Sequence, residues 1–480
     1  MPRKKYPVFI SALLVFVLVC GQLVGCGAQP AAGSGGDQGS AAATDAKAAE
    51  PAETGTTYTS AWKPRDGYTL KRVVAMSRHN LRAPQDKDME TLGKITTYEW
   101  IKWSANGSEL TNKGGVAETI MGEFFRKWLE NEKLVPQNYI PSENEVRFYA
   151  NPRQRTLATA QFFSSGMLPV ANVRVEYHGE YDSRDPVFKP RFGYVSAGYN
   201  EAATKEVAAH GGDAGLAGVD KDMQANYDLI MKVLDYQNSN AYKAGEAKDL
   251  KTGETKYKVE LDKEPAVSGS LKDANALSDA LTLQYYEAKN IADASFGMPL
   301  TYDQWKQIAA VKNYYGDWRY NSKLAGVDCA HLLASEISNE LSAEGRRFSF
   351  LCGHDSNQSS LLHALGVKDY ELPDTIETKT PIGGKILFEV WENAAGEQLC
   401  NVRYVYATTE QVRNLDMLSL EEAPASYNLE FEGIKRNADG FFALADVQKL
   451  LTDTVAAYDQ LPTTYPEQAE AAQPEVAQAA

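Results

Sequence analysis

A histidine flanked by two arginines lies near the start of the chain, in the segment RHNLRAP (78–84). Buried charges are costly unless they are paired, so Arg78 and Arg82 are poor candidates for core packing. Guanidinium groups match phosphate oxygens bidentately. The unprotonated nitrogen of an imidazole such as His79 can attack phosphorus and divide a hydrolysis into two easier displacements. The segment therefore predicts a phosphate site with a histidine nucleophile.

Two later segments supply the complement of this chemistry. The segment NPRQRT (151–156) carries a third candidate arginine, Arg155. The segment CGHDSN (352–357) carries His354, which can donate to a phosphoryl oxygen, and Asp355, a carboxyl group suited to proton transfer. Each segment alone is a weak signal, but together they predict phosphoryl transfer.

The elements that must position these residues are short strand candidates at 70–76, 146–150 and 347–352. Each of the three segments directly follows one of these runs. In an open α/β sheet, ligands bind at the carboxyl ends of the strands. We therefore expect the three segments to meet at one edge of a sheet.

The rest of the body predicts how that sheet is built. Strand-like runs return at 385–391 and 401–407, and helical spacing occurs between them and the first strands, at 222–236, 271–290 and 301–315. The pattern predicts an α/β domain formed by 68–176 and 346–460. A mainly helical insertion or cap is predicted at 177–345.

Charge limits the partners of the protein. The chain has 480 residues, with 49 Lys and Arg against 64 Asp and Glu, for a formal net charge of −15. An acidic body does not coat nucleic acid or an anionic membrane by long-range attraction. A phosphorylated small molecule could still bind if positive charge is concentrated in one pocket.

The N-terminus predicts export. Residues 3–5 are basic, 8–19 form an apolar run too short to span a bilayer comfortably, and the following LVGC (23–26) resembles the lipobox of bacterial lipoproteins. That resemblance implies a signal peptide at 1–26, with Cys26 lipidated and the protein anchored to a bacterial membrane. An ordinary signal peptide with a chance cysteine, or an uncleaved anchor helix, is the alternative.

Low-complexity sequence flanks the body on both sides. An Ala/Gly/Ser-rich segment at 27–60 cannot bury apolar surface and predicts a disordered tether. The tail at 461–480 has a similar Ala/Pro/Glu/Gln character and is also predicted to be disordered.

Three cysteines lie in the body, at Cys329, Cys352 and Cys400. Their odd number leaves at least one thiol unpaired, and no Cys/His zinc spacing is present. Small buried core residues are the simplest interpretation. A Cys352–Cys400 disulfide remains open in an exported protein.

The sequence as a whole resembles the histidine acid phosphatases, the second branch of the histidine phosphatase superfamily. The resemblance covers nearly all of 68–458 and is carried by SRHNLRAP (77–84), YANPRQRTLATAQFF (149–163), GHDSNQSSLL (353–362) and TPIGGKILFEVW (380–391). The pattern is most similar to bacterial periplasmic glucose-1-phosphatases, with phytases further away. It implies a three-layer α/β/α sheet domain, like that of phosphoglycerate mutases, with an inserted helical domain.

The family's site roles carry over residue by residue. The resemblance implies that His79 forms a phosphohistidine and that Asp355 protonates the leaving oxygen. It implies that four side chains bind the phosphate: Arg78, Arg82, Arg155 and His354. Glu287 matches an acidic residue at the substrate entrance. The resemblance implies neither a cofactor nor a metal, and the oligomeric state stays open.

The sequence predicts an acid phosphatase that acts on a sugar or inositol phosphate. Two other functions are alternatives to it. A phytase or broad-specificity phosphatase would differ mainly in the size of its pocket, which Gln85 and the helical insertion would set. A lipid-anchored sugar-phosphate-binding protein would explain the N-terminus equally well, but binding alone requires neither His79 nor Asp355. Serine hydrolases, zinc enzymes and P-loop enzymes are disfavoured because their motifs are absent.

Overall fold

The computed structural model describes residues 62–467, which lie within one compact unit. The strands are β1 Tyr68–Arg78, β2 Val146–Ala150, β3 Val175–Glu176, β4 Lys256–Lys258, β5 Ala266–Ser268, β6 Phe348–Gly353, β7 Lys385–Asn393, β8 Gln398–Tyr406, β9 Ala425–Asn428 and β10 Phe442–Ala443. The helices are α1 Asp86–Lys94, α2 Asn112–Asn131, α3 Gln154–Met167, α4 Ala197–Ala209, α5 Leu216–Asp222, α6 Gln224–Val233, α7 Asn240–Lys243, α8 Ser270–Glu287, α9 Ile291–Ala294, α10 Tyr302–Trp318, α11 Lys323–Ser342, α12 Asp355–Ala364, α13 Thr409–Asn414, α14 Leu444–Asp459 and α15 Leu461–Thr464. Short 3₁₀ turns lie at Pro186–Phe188, Gly212–Ala214 and Tyr236–Asn238.

The main sheet has eight strands, and β1 lies at its centre. The strand order is β10-β8-β7-β1-β6-β2-β3, with β9 paired to β8. Strand β1 runs parallel to β6, which runs parallel to β2, while β7 and β8 are antiparallel to their neighbours. The carboxyl ends of β1, β6 and β2 therefore lie side by side at one edge of the sheet.

Helices cover both faces of this sheet. Along β1 successive side chains alternate between the faces, so Val73 and Ala75 pack in one core and Val74 and Met76 in the other. Helices α2 and α3 supply the first core, with Phe124 and neighbouring aromatics, and α11, α12 and α14 supply the second. The predicted three-layer α/β/α architecture is confirmed.

A mainly helical cap follows β3 in the chain and has a hydrophobic core of its own, built largely from α4, α6, α8 and α10. Helix α10 begins with a capping box at Thr301, and it packs along α8, where Tyr285 stacks on Trp305 at 4.2 Å between ring centroids. The predicted end of the insertion at 345 is wrong. Helix α11 presents Val327, Leu333 and Ile337 to the core of the sheet, so this helix belongs to the α/β layers.

The boundaries of the body also differ from those predicted. Trp62 is buried against Phe124 and Trp128, so the packed body begins before Tyr68. The predicted disordered tail is wrong for its first residues. Leu461 is buried as the first residue of α15, and the carbonyl of Tyr465 accepts a hydrogen bond from Ser196 at 2.9 Å.

The signal peptide at 1–26, the lipid site at Cys26 and the tether at 27–60 were predicted on residues that lie outside the described part of the chain. The same holds for 468–480. None of the helices between residues 62 and 467 combines the length and the apolar character needed to cross a membrane.

The three body cysteines are buried and free, so the disulfide left open above does not form. Cys352 lies on β6 and Cys400 on β8, and β7 and β1 separate these two strands. Three inter-strand steps of about 4.8 Å each exceed the reach of a disulfide. The thiols act as small core side chains.

Candidate active site

The three segments predicted to carry chemistry meet where β1, β6 and β2 end. Arg78 pairs with Gly353 in the parallel β1–β6 register, and the N–H of His79 donates to the carbonyl of Gly353 at 3.0 Å. On the other side of β6, the N–H of Asn151 donates to the carbonyl of Cys352 at 2.9 Å. His79, His354 and the turn that leads to Arg155 therefore leave the sheet as neighbours.

His79 is buried and presents one ring nitrogen for chemistry. Its ring lies 5.5 Å from that of His354, between centroids, in an edge-on arrangement. Nδ1 is 2.8 Å from the carbonyl oxygen of Asn80, which can only accept, so Nδ1 carries the proton and Nε2 keeps its lone pair. Burial, followed by the charges of Arg155 and Arg78, holds the pKa of His79 well below its usual value. The imidazole is therefore neutral.

The loop that carries His79 is held from behind by a buried ion pair. Asn80 donates through Nδ2 to Glu118 at 2.7 Å, and Glu118 in turn pairs with Lys385 at 2.8 Å. Both partners of the pair are fully buried, Glu118 on α2 and Lys385 at the start of β7. The N–H of Gly383 donates to the carbonyl of His79 at 3.1 Å. The backbone around the histidine is thus fixed on both sides.

Arg78 is fully buried below the cleft rather than along its wall. One Nη atom donates to Glu377 at 2.8 Å and the other lies 3.8 Å from a carboxylate oxygen of Asp355. Its Nε is buried without a hydrogen-bond partner in the described part of the chain. Arg78 thus connects the buried Glu377 to the carboxyl group of Asp355.

Asp355 begins α12, where the helix dipole favours a negative charge. Burial raises the pKa of this carboxyl group, but Arg78 and Lys312 outweigh burial and hold the pKa below its ordinary range. Asp355 is therefore ionised when the cleft holds no anion.

Arg82 and Arg155 approach the same space from two sides. Arg82 is buried and pairs with Asp279 of α8 at 2.9 Å. Arg155 lies in the first turn of α3, with Nη2 3.4 Å from Nδ1 of His354. Among residues 62–467 no carboxylate oxygen lies within 4.0 Å of the Arg155 guanidinium, so this cation has no ion-pair partner there.

One cleft collects these groups, with the sheet edge as its floor and α8 and α10 of the cap as a wall. His79, Gln85 and His354 line it together with charged residues. The cations that line it are Arg82, Lys87, Arg155, Arg184, Lys272, Lys312 and Arg319. The carboxylates are Asp88, Glu264, Asp279 and Asp355. The cleft thus concentrates positive charge within an acidic protein. Phosphate binding by such a protein requires a pocket of this kind.

A family model described as histidine phosphatase superfamily (branch 2) matches residues 69–407, which include all three segments of this cleft. The chain belongs to that superfamily. The fold and the enzyme class predicted from the sequence are therefore confirmed.

This histidine phosphatase is similar to a glucose-1-phosphatase and to phytases. It is 35% identical to a glucose-1-phosphatase of Providencia rettgeri over 388 residues, which cover 80% of this chain and 91% of the relative. It is 25% identical to a phytase of Escherichia coli, over 80% of this chain and 91% of that one. A solved structure of Hafnia alvei phytase superposes with a TM-score of 0.75 at 23% identity and covers 83% of this chain and 100% of that one, which shows the shared fold.

Glu287 does not line the cleft of this histidine phosphatase. It ends α8 and accepts a hydrogen bond from Ser104 at 2.7 Å. The acidic residue of α8 that does line the cleft is Asp279, eight residues earlier, or about 12 Å along the helix axis. The expectation of Glu287 at the substrate entrance is corrected in favour of Asp279.

Two further charged residues of the site had no sequence signal. Lys312 of α10 lines the cleft, lies 3.8 Å from Asp279 and donates to Glu377. Glu377 is fully buried, and although burial raises its pKa, Lys312 and Arg78 lower it to about 2. Neither residue belongs to a local motif, so only the packing of the cap against the sheet reveals them.

No group of three or more His, Cys, Asp or Glu side chains within 62–467 is arranged to hold a metal ion.

Proposed function

We propose that this histidine phosphatase is an acid phosphomonoesterase that hydrolyses a sugar or inositol phosphate through a phosphohistidine on His79. The observation that carries the proposal is the convergence of a lone-pair Nε2 on His79, the unpaired cation of Arg155 and the carboxyl group of Asp355 in one cleft. Phosphoryl transfer needs mainly positioning and charge neutralisation, which these groups supply.

In the first step Nε2 of His79 attacks phosphorus and the bond from phosphorus to the ester oxygen breaks. Asp355, protonated in the substrate complex, gives its proton to the leaving oxygen, so that a neutral alcohol departs. The side chains of Arg82, Arg155 and His354 donate hydrogen bonds to the phosphoryl oxygens. Arg78 supports the site from below. The neutral state of His79 suits this attack.

In the second step the Asp355 carboxylate takes a proton from water, and the oxygen of that water attacks phosphorus. The bond between phosphorus and Nε2 breaks, and inorganic phosphate leaves. While the phosphate is still bound, His79 is again neutral and Asp355 again protonated, as in the substrate complex, so the two steps balance without an external reagent.

The substrate itself supports protonation of Asp355. The cations Arg78 and Lys312 lower the pKa of the Asp355 carboxyl group. A bound phosphoryl group brings negative charge that offsets these cations, so its binding raises the pKa of Asp355. Since the first step requires the protonated form, we expect activity to rise as the pH falls from neutral into the acidic range.

A second candidate within the same class is a phytase or broad-specificity phosphatase. The cap adds Lys272, Arg184 and Arg319 to the cleft beyond the residues around His79. Arg184 and Arg319 both face Glu264, which leaves Lys272 as the cation of this set that favours a substrate with a second negatively charged group. The 35% identical relative named as a glucose-1-phosphatase favours a sugar monophosphate.

A substrate panel on the purified protein separates these readings. Equal concentrations of glucose 1-phosphate and phytate would be compared by kcat/KM at acidic pH, with and without a chelator. We expect both to be hydrolysed without added metal, with the higher value marking the substrate class. A phosphate-binding protein of another class would bind both compounds and release no phosphate, which would overturn the proposal.

We also propose that the protein is exported and anchored by a lipid on Cys26. The basic residues 3–5, the apolar run 8–19 and LVGC (23–26) support this proposal. Expression with a clickable fatty acid should label the full-length chain, and Cys26→Ser should abolish the label and release activity from the membrane fraction. Equal labelling of the Cys26→Ser protein would contradict lipidation at this position.

A further inference from the structure

Asn151 is fully buried at the end of β2, and its side-chain amide contacts two neighbours. Its Oδ1 accepts from the backbone N–H of Asp185 at 3.0 Å. Its Nδ2 lies 2.7 Å from Nε2 of His354. A backbone N–H can only donate, so the amide oxygen must face Asp185 and the amide nitrogen must face His354.

We propose that Asn151 is a positioning residue that holds His354 in one neutral form, with the proton on Nδ1 and a lone pair on Nε2. The other neutral tautomer and the imidazolium ion both carry a proton on Nε2. Either one would place two N–H donors head to head across 2.7 Å. Only the Nδ1–H form accepts the hydrogen bond that Asn151 offers.

The environment of His354 acts in the same direction as Asn151. Burial, followed by the charges of Arg155 and Arg184, holds the pKa of His354 well below its usual value, and Asp355 opposes them only in part. Arg153 adds a further positive charge, and the ring of His79 lies edge-on to that of His354. A positive charge on the ring is therefore disfavoured even apart from the amide.

The proton on Nδ1 is placed where a phosphoryl group would accept it. Nδ1 of His354 lies 3.4 Å from Nη2 of Arg155, which could donate to Nδ1 only if that nitrogen kept its lone pair. The 2.7 Å contact of Nε2 with Asn151 is much the shorter of the two, so it sets the tautomer and leaves two N–H donors facing each other at 3.4 Å. Two adjacent donors favour an anion whose oxygen accepts from both. Asn151 does not line the cleft. Its hydrogen bond to Nε2 keeps His354 neutral, with an Nδ1–H that can donate to a bound phosphoryl group.

This inference rests on the proposed function for the importance of His354, but it makes a separate physical claim. A histidine that keeps one protonation state cannot be the group whose titration shapes the activity of the enzyme. We therefore expect the pH dependence of kcat to report Asp355 rather than His354.

The test is ¹⁵N NMR of protein labelled only at its histidines, of which the chain has six. The His354 signals are assigned by their loss in His354→Asn. In the wild type we expect a protonated Nδ1 and an unprotonated Nε2 at both acidic and neutral pH. Inorganic phosphate, used as the probe, should shift the Nδ1 signal and leave the tautomer unchanged.

Asn151→Asp replaces the amide donor with an acceptor of the same size. We expect the His354 proton to appear on Nε2, the ring to titrate toward imidazolium at acidic pH, and kcat/KM to fall about 10- to 100-fold. A new ionisation should appear in the pH profile of kcat. The matched control is Asn226→Asp, which removes an amide donor to the carbonyl of Gln307 in the cap, 2.7 Å away, and should leave the His354 signals in place.

A wild-type His354 with a protonated Nε2, or as an imidazolium ion, would overturn the inference whatever the activity. The wild-type spectrum decides the question even if Asn151→Asp does not fold. A protein with the expected tautomer but no phosphatase activity would retain the positioning role and reject the proposed function. An active enzyme whose His354 carries its proton on Nε2 would retain the proposed function and reject the positioning role of Asn151.

Discussion

Two groups of charge lie near His79, and they are built differently. In the first, Glu118 and Lys385 are fully buried and form a matched pair at 2.8 Å. In the second, Arg155 faces the cleft with no carboxylate within 4.0 Å among residues 62–467. The matched pair neutralises itself and serves the fold, whereas the unmatched cation keeps its charge for a ligand. In this comparison the balance of charge marks Glu118 and Lys385 as supporting residues and Arg155 as a binding residue.

The largest effect is expected from His79, which lies near both groups. His79→Ala should lower kcat on the order of 10⁴-fold or more because no other described nucleophile lies at the same place. The measurement is release of inorganic phosphate, together with the free energy of unfolding in urea. Stability should change little, so a large loss of stability would assign His79 to the supporting group instead.

The matched pair should show the opposite signature. Lys385→Met leaves Glu118 buried without its partner and should lower the free energy of unfolding by about 3–5 kcal/mol. The double variant Lys385→Met/Glu118→Leu should recover much of that loss, measured by urea unfolding. If the two single changes were simply additive, the pair would not be coupled and the comparison would fail.

The unmatched cation should matter for activity and not for folding. Arg155→Met should lower kcat/KM about 10²- to 10³-fold by removing a donor to the phosphoryl group. Its free energy of unfolding should stay equal or rise, because burial and the nearby charges of Arg82 and Arg153 already oppose the charge of Arg155.

Arg155→Lys is the matched control for this change, since it keeps the charge and loses the planar fork. We expect an intermediate kcat/KM. A strongly destabilised Arg155→Met protein would show that the arginine supports the fold.

The smallest effect concerns Asp279 and Glu287, two of the three acidic residues of α8. Asp279→Asn removes the partner that fixes Arg82 at 2.9 Å, so kcat should fall about 3- to 10-fold. KM should fall as well, because the cleft loses a negative charge. Glu287→Gln should leave both constants unchanged, and a larger effect at Glu287 than at Asp279 would restore the original assignment.

The sequence could predict the sheet edge because its signals are local. Each chemical segment directly follows a strand-like run, and the runs match β1, β2 and β6 within a few residues. Parallel neighbours in a sheet bring such ends together without further information. His79, His354 and Asp355 were therefore predictable as a cluster.

The cap was less predictable because its contribution depends on packing. Whether Asp279 or Glu287 lines the cleft depends on which turn of α8 faces the sheet. No sequence motif indicates which turn that is. Lys312 and Glu377 become site residues only when α10 closes over the loop after α12. The role of Asn151 depends on the direction of one amide, which follows from the backbone N–H of Asp185.

The central claim is that His79 carries the phosphoryl group during turnover. The most direct measurement mixes enzyme with excess phosphomonoester, quenches the reaction under alkaline conditions that preserve phosphohistidine, and maps the modified peptide by mass spectrometry. We predict one phosphoryl group on the peptide that contains His79, formed at the rate of turnover or faster and missing from His79→Ala. Turnover without any phosphorylated peptide, or with the phosphoryl group on another residue, would contradict the account.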